Sequence, residues 1–579
     1  ISCSLVGSEM CIRDRGSGAV EIVRQNPYVL CDGIDGIGFE KADQIARDLG
    51  VRENSSERIA AGLAFVLSYN MNQNGHAYLP QDKLIPAAAR LLSCKEEEAE
   101  DELARQVMTG KLRAAKIEGR TCIYLVRAFE AEKYICAKMD ALERTDHVSD
   151  ADNLAFLIEK AELENGIQYE RLQKKAISDA VKNSVLILTG GPGTGKTTVV
   201  RAIIRIFESM GLDIALATPT GRAAKRLSEV TGMETKTIHR MLEMDFTGES
   251  GHTFHRDENS LLEEDVIIID EASMIDLFLM EALLRAIRPG ARLILIGDAN
   301  QLPPVGAGYV FRDILESDRF STVELTHIFR QASESLIVTN AHLIHRGEPL
   351  DLSQKDSDFF YLAAADEEKT SQIIAGLCKT RLPRAYGASV YEGIQVITPS
   401  RKGQNGTEYL NHILQEAINP ASEGKKERKF RDRVFREGDK VMQTKNNYDI
   451  PWKNNGADGF GIFNGDIGVI RSIDMISQVL HIDFDGRMAE YDFMMTEELE
   501  LAYAITVHKS QGSEYPIVIF PLYRYTPKLL TRNLFYTAVT RAQQMVILVG
   551  DGEVANRMIE NNRQTKRYTG LGYWLTQYD

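Results

Sequence analysis

The run Gly190-Gly-Pro-Gly-Thr-Gly-Lys196-Thr197-Thr198 constrains this chain more than any other, because of what flanks it. Val185-Leu-Ile-Leu188 stands before it and Val199-Val-Arg-Ala-Ile-Ile after it. The order is strand, glycine loop, helix, which is the setting of a phosphate-binding loop. Glycines let backbone N–H groups curl around phosphate oxygens, and the helix N-terminus adds a favourable field. In that reading Gly191, Pro192, Gly193, Thr194, Gly195 and Thr198 form the cradle. Lys196 reaches the β/γ-phosphates and the Thr197 hydroxyl holds Mg²⁺. The chain is therefore expected to bind a nucleoside triphosphate with Mg²⁺ inside a parallel α/β domain.

At 579 residues there is length for about four domains. Hydrophobic content of 44% and charged content of 26% are ordinary for a globular chain, and no apolar run approaches the roughly 18 residues of a membrane span. The net charge of −15 argues only weakly against nucleic-acid binding, since a basic channel can sit inside an acidic shell. The seven cysteines (Cys3, Cys11, Cys31, Cys94, Cys122, Cys136 and Cys378) show neither CxxC pairing nor zinc spacing. They read as reduced thiols of a cytoplasmic protein. Ile1 is not a start residue, and the stretch to Arg15 reads as the conceptual translation of a sequencing adapter. Native sequence is then expected from Gly16, with an upstream portion missing.

Two further elements suit nucleotide chemistry. Val266-Ile-Ile-Ile-Asp270-Glu271 is an apolar strand ending in two carboxylates. Asp270 is placed to hold the Mg²⁺ that Thr197 contacts, and Glu271 to polarise the attacking water as general base. Leu293-Ile-Leu-Ile-Gly297-Asp298-Ala-Asn-Gln301 is a second buried strand ending in a polar loop, where Gln301 can sense the γ-phosphate.

In this order, the three elements resemble the motor core of superfamily 1 helicases, and further stretches carry the resemblance from about residue 168 to 550. Gln173 matches the adenine-reading glutamine of that family. Leu216-Ala-Thr218-Pro219-Thr220-Gly-Arg222 and Thr237-Ile-His239-Arg resemble its early single-strand-contacting motifs. Leu325-Thr-His-Ile-Phe-Arg330, Thr506-Val-His508-Lys-Ser510-Gln511-Gly512-Ser-Glu514 and Tyr536-Thr-Ala-Val-Thr540-Arg541 complete the set. The spelling of these motifs is similar to the RecD-like branch, class B of the superfamily.

The resemblance implies an ATP-hydrolysing DNA helicase that moves 5′→3′ on single-stranded DNA and unwinds tailed duplexes in repair or recombination. It assigns Gly512 and Glu514 to the nucleotide, and Pro219, Thr220, His239, Arg401, Thr506 and His508 to DNA. Phosphoryl transfer spreads negative charge over the γ-phosphate, which an arginine fork from a neighbouring domain stabilises. Arg330 and Arg541 are far enough downstream to close on it across a cleft, linking hydrolysis to domain closure. The residue chemistry leaves open an RNA helicase of the same superfamily, a RecD subunit or conjugative-relaxase half that works only inside a complex, and a nucleotide-switched DNA-binding scaffold that does not unwind.

The expected architecture is α/β, with two RecA-like doubly wound motor domains and additions. Residues 16–150 read as a helical N-terminal domain, in which Gly33-Ile-Asp-Gly36-Ile37-Gly38 resembles a helix–hairpin–helix turn that offers N–H groups to a DNA phosphate. Within it, Glu96–Glu102 reads as a solvated helix face. Residues 151–332 form the first motor domain, with a β-hairpin excursion over 244–260 that serves in the family as a pin at the duplex fork. Residues 333–432 and 497–579 form the second, interrupted over 433–496 by short alternating strands that read as an SH3-like barrel. A monomer is expected.

Overall fold

A computed structural model describes residues 23, 26–30, 38–145, 147, 153–245, 253–329, 334–353, 358–454, 456–523, 525–563 and 566–577. The adapter-like segment, the helix–hairpin–helix turn at residues 31–37, the tip of the expected pin at residues 246–252, and Arg330 lie outside the described residues.

The N-terminal region is helical, but it also holds a small antiparallel sheet that periodicity did not reveal. Strands β1 (Tyr78–Pro80), β2 (Leu112–Ile117) and β3 (Arg120–Leu125) pair in the order β1-β3-β2. Glu118 and Gly119 have φ of 48° and 78°, so the β2–β3 hairpin turns on two left-handed residues, as a tight two-residue turn requires. The acidic run also differs from its expectation. In the helix Glu96–Met108, Glu102 is buried and accepts hydrogen bonds from Ser56 Oγ (2.6 Å) and Gln106 Nε2 (2.6 Å). Glu96, Glu97, Glu100 and Asp101 do face solvent.

The first motor sheet has six parallel strands: β4 (Val185–Gly190), β5 (Ile214–Thr218), β6 (Thr235–Thr237), β9 (Val266–Ile269), β10 (Arg292–Gly297) and β11 (Ser321–Leu325), ordered β11-β4-β10-β9-β5-β6. Its inner strands β4, β10, β9 and β5 read as nearly continuous apolar runs because both faces are covered. Val185, Ile187, Ile267 and Leu293 face one core, which continues into the helix Val126–Glu143 and the C-terminal helix Leu571–Gln577. Leu186, Leu188, Ile268 and Ile294 face a second core against the helix Lys196–Ser209. Between β6 and β9, the two-residue strands β7 (Met244–Asp245) and β8 (Thr253–Phe254) pair antiparallel, which is the base of the expected hairpin.

The second motor sheet is parallel in the order β12-β25-β24-β13-β23, from β12 (Phe359–Ala363), β13 (Ile394–Thr398), β23 (Ala504–Thr506), β24 (Tyr515–Leu522) and β25 (Ala542–Gly550). Between β13 and β23 lies a hairpin, β14 (Glu427–Phe430) with β15 (Arg433–Arg436), and then a seven-stranded antiparallel sheet over its own core of Phe435, Ile470, Leu480, Ile482, Phe484 and Tyr491. That sheet runs from β16 (Lys440–Gln443) to β22 (Leu499–Leu501), so it extends past the expected end at residue 496.

Candidate active site between the two motor domains

Parallel strands deliver their carboxyl-end loops to one crevice where the strand order reverses. Here β4, β9 and β10 deliver the glycine loop, the acidic pair and the Gly297–Gln301 loop to a cavity of about 310 Å³. Its walls include Gly191, Pro192, Gly193, Gly195, Lys196, Thr197, Asp270, Glu271 and Gln301 from the first motor domain, and Glu514 and Arg541 from the second. Residues more than three hundred positions apart in sequence thus share one cleft. Arg226, Gly297, Asp298 and Thr540 also line it.

The glycine loop is shaped by backbone freedom. Gly193 and Gly195 have φ of 73° and 82°, which admit no ordinary side chain without strain, and a Cβ on Gly195 would meet Gln173 Nε2 at 2.5 Å. Thr194 is buried and braces the loop through its hydroxyl to Gly191 O (2.8 Å), so its role is internal. Thr198 lies on the helix that begins at Lys196 and does not line the cavity. The Lys196 ammonium donates to Gly190 O (2.6 Å) and Gly191 O (3.0 Å), which holds it at the mouth of the cradle.

Asp270 accepts from the Glu271 N–H at 2.8 Å. Burial, and then the Glu271 charge, push the Asp270 carboxyl up to about 6, against the pull of Lys196 and Arg226. Glu271 has φ of 53° and caps a short 3₁₀ turn, Ala272–Met274, an uncommon backbone for glutamate that aims it into the cleft. Two buried polar atoms here have no hydrogen-bond partner: Gln173 Nε2 and Gln301 Oε1. Most buried polar groups in folded proteins are paired, so both atoms are suited to meet a polar ligand.

A hard cation fits this donor set. Thr197 and Asp270 supply oxygen, and Mg²⁺ is commonly held by one or two protein oxygens plus substrate phosphates. Among the described residues there is no group of three or more His, Cys, Asp or Glu able to cage a metal alone.

The second domain is tied to the first by direct contacts. Tyr536 donates to Asp298 Oδ2 (2.7 Å), Arg222 to Tyr515 Oη (3.0 Å), and Arg226 pairs with Glu514. His342, from the helix Leu336–Arg346, lies 3.3 Å from Pro192 O. Arg541 is buried; it donates to Thr537 O (3.2 Å) and Ser513 O (3.3 Å) and lines the Lys196 cavity. Arg226, Asp298, His342 and Tyr536 were missed as site residues. Arg226 lies one helical turn beyond Arg222 on the helix Gly221–Thr231, a spacing that could have marked it.

The expected DNA residues fall into two groups. Thr398 pairs with Thr506 across β13 and β23, so Arg401, Thr506 and His508 leave adjacent strand ends. Arg401 is committed to Glu500 (2.5 Å) and Glu408 (3.5 Å). His508 keeps an exposed face, yet the surrounding protein, and next the Arg567 charge, lower its pKa. In the first domain Pro219 and Thr220 follow β5. Thr220 caps the helix Gly221–Thr231 through Ala223 N (3.4 Å) and abuts Gly512, which does not line the cavity. His239 lies 6.0 Å, ring to ring, from Phe254 beside the hairpin base.

Family models match along the chain: an AAA domain over residues 173–307, the ATP-dependent RecD2 DNA helicase HHH domain over 12–78, the ATP-dependent RecD-like DNA helicase SH3 domain over 410–484, and a UvrD-like helicase C-terminal domain over 501–549. The ATP-dependent RecD2 DNA helicase of Deinococcus radiodurans is 32% identical over 554 residues, spanning 94% of this chain and 72% of that protein. The RecBCD enzyme subunit RecD of Mycobacterium tuberculosis is 30% identical over 488 residues, spanning 78% of this chain and 79% of that protein. Among solved structures, the Pif1 helicase of Candida albicans aligns with a TM-score of 0.40 at 18% identity, covering 69% of this chain and 98% of that one. With its motor core, helix–hairpin–helix and SH3 modules matched in order, the chain belongs to the RecD2-like ATP-dependent DNA helicases.

Proposed function

We propose that this chain moves 5′→3′ along single-stranded DNA as a cytoplasmic monomer and unwinds tailed duplexes, in DNA repair or recombination. The reading rests on one observation: Lys196, Glu271 and Arg541 line a single cavity although they come from two domains. Thr197 and Asp270 would hold Mg²⁺, which supplies charge neutralisation at the phosphates. Lys196 binds the β/γ-phosphates, Glu271 takes the proton of the attacking water, and Gln301 reads the γ-phosphate. Arg541, with Arg330, meets the charge that develops during transfer.

Closure on ATP and reopening after hydrolysis alternately tighten and relax the grip of Pro219, Thr220 and His239 against that of Arg401, Thr506 and His508. A grip built on phosphates and stacking has little sequence preference. A strand-displacement assay on duplexes with 5′ or 3′ tails checks unwinding and polarity together. The expected result is ATP-dependent displacement from the 5′-tailed duplex alone. Displacement from the 3′-tailed duplex only would reverse the polarity, and ATPase activity without displacement from either would leave a DNA-stimulated switch.

A further inference from the structure

The segment after Gln301, Leu302-Pro-Pro-Val-Gly306-Ala-Gly308, leaves the cavity without regular secondary structure. Its backbone groups are satisfied by other parts of the molecule, among them Leu277 N, which donates to Ala307 O (2.9 Å). Leu302 is gripped by the second motor domain: its N–H donates to Thr537 Oγ1 (3.0 Å) and its carbonyl accepts from Gln511 Nε2 (3.1 Å). Further along, three carbonyls converge on one side chain. The Arg567 guanidinium donates to Pro304 O (2.5 Å), Gly306 O (2.6 Å) and Gly308 O (2.8 Å).

Arg567 belongs to the C-terminal segment, which crosses back from the second motor domain onto the N-terminal domain. Tyr568 O accepts from Ala77 N (2.7 Å), Gly570 N donates to buried Glu132 (2.9 Å), and Leu571 and Leu575 enter the core shared by the N-terminal and first motor domains. The guanidinium lies flush against Gly75, where any Cβ would overlap it, and Gly308 N donates to Gly75 O (2.9 Å). A planar fork with five N–H groups can hold three carbonyls in fixed directions, which a lysine ammonium on a flexible stem cannot reproduce. Such contacts fix the geometry of a loop. Immediately upstream of this loop, the Gln301 amide carries a buried oxygen with no protein partner.

We propose that Arg567 is a positioning residue for ATP hydrolysis: it anchors the Leu302–Gly308 loop so that Gln301 is presented to the cavity, while Thr537 and Gln511 pass the movement of the second motor domain to the same loop. The proposal rests on the ATPase reading of the Lys196 cavity.

The test uses the full chain with Arg567→Ala and Arg567→Lys, read by single-strand-stimulated ATPase and by amide hydrogen exchange. Arg567→Ala is expected to lower kcat by about ten- to a hundredfold, the scale of a displaced catalytic group. The KM for ATP should stay within about twofold, since the glycine loop and Lys196, which carry most of the ground-state binding in this reading, are untouched. Amides 305–308 should exchange faster while those of the glycine loop do not. Arg567→Lys, which keeps the charge and the packing stem, should show a smaller loss with the same local exchange, and it is the variant read if the alanine form does not fold. Wild-type kcat together with unchanged exchange at 305–308 would overturn the proposal, as would faster exchange spread evenly over the chain. If the unsubstituted chain hydrolyses no ATP, the ATPase reading fails by itself, and the exchange arm alone decides whether Arg567 anchors the loop.

Discussion

In the proposed role Lys196 meets phosphate through its ammonium alone, so Lys196→Ala is expected to remove charge stabilisation without disturbing the core. DNA-stimulated ATPase should fall by about 10²- to 10³-fold, measured as steady-state phosphate release, while the unfolding transition stays in place. Glu271 makes a separable prediction because two demands meet in it. As general base, its replacement by Gln should lower kcat by about 10²- to 10⁴-fold with ATP binding retained. As a residue at φ 53°, it holds a left-handed backbone that disfavours any Cβ. Glu271→Gly should therefore exceed Glu271→Ala in denaturant stability by about 1 kcal/mol, although both are inactive. These residues were legible in the sequence because each sits at a fixed offset from a strand end. Asp298, Tyr536 and His342 were not, since what makes them site residues is contact with the other domain.

The C-terminal segment shows what an element-scale reading misses. Its helix Leu571–Gln577 packs on the helices Val126–Glu143 and Val310–Glu316, and three donors converge on buried Glu132, Tyr124 Oη, Gly570 N and Trp574 Nε1, with the Thr569 hydroxyl 3.2 Å away. Asp313 accepts from Thr569 Oγ1 at 2.7 Å beside it. Burial pushes the Asp313 carboxyl up to about 8; the Thr569 hydrogen bond opposes the rise and the Glu132 charge adds to it. The folded state then keeps a proton that the unfolded chain releases near pH 4. Stability from this group is complete below that pH and is lost progressively as pH rises through about 8. Asp313→Asn removes the loss, so the melting temperature of the variant minus that of the unsubstituted chain should grow between pH 5 and pH 8 by calorimetry. Nothing in the spacing of Gly570-Leu-Gly-Tyr-Trp-Leu foretells this docking. The β2–β3 hairpin was hidden for another reason: its strands are short, and Glu118-Gly119 is a weaker turn signal than Asn-Gly.

For the whole molecule, a cavity walled by both motor domains means that nucleotide bound there is expected to stabilise their pairing as well as the fold of one domain. ATP analogue with Mg²⁺ at a hundredfold its Kd should add about 2.7 kcal/mol to unfolding stability, and Lys196→Ala should abolish the gain in a thermal-shift titration. Glu514→Ala, which frees Arg226 at the domain boundary, should reduce the gain without removing it.

The sequence by itself determined the ATP-binding loop, the acidic pair, the parallel sheets and the helicase family, because those depend on residue order within one strand–loop–helix unit or on motifs in a set succession. Only the tertiary structure decided that Arg541 shares a cavity with Lys196, that Arg401 is engaged by Glu500, and that Arg567 anchors the loop after Gln301. Those relations join positions separated by tens to hundreds of residues. Hydrophobic periodicity fixes which face of an element is buried, whereas the partner that covers that face is chosen by packing across the whole chain.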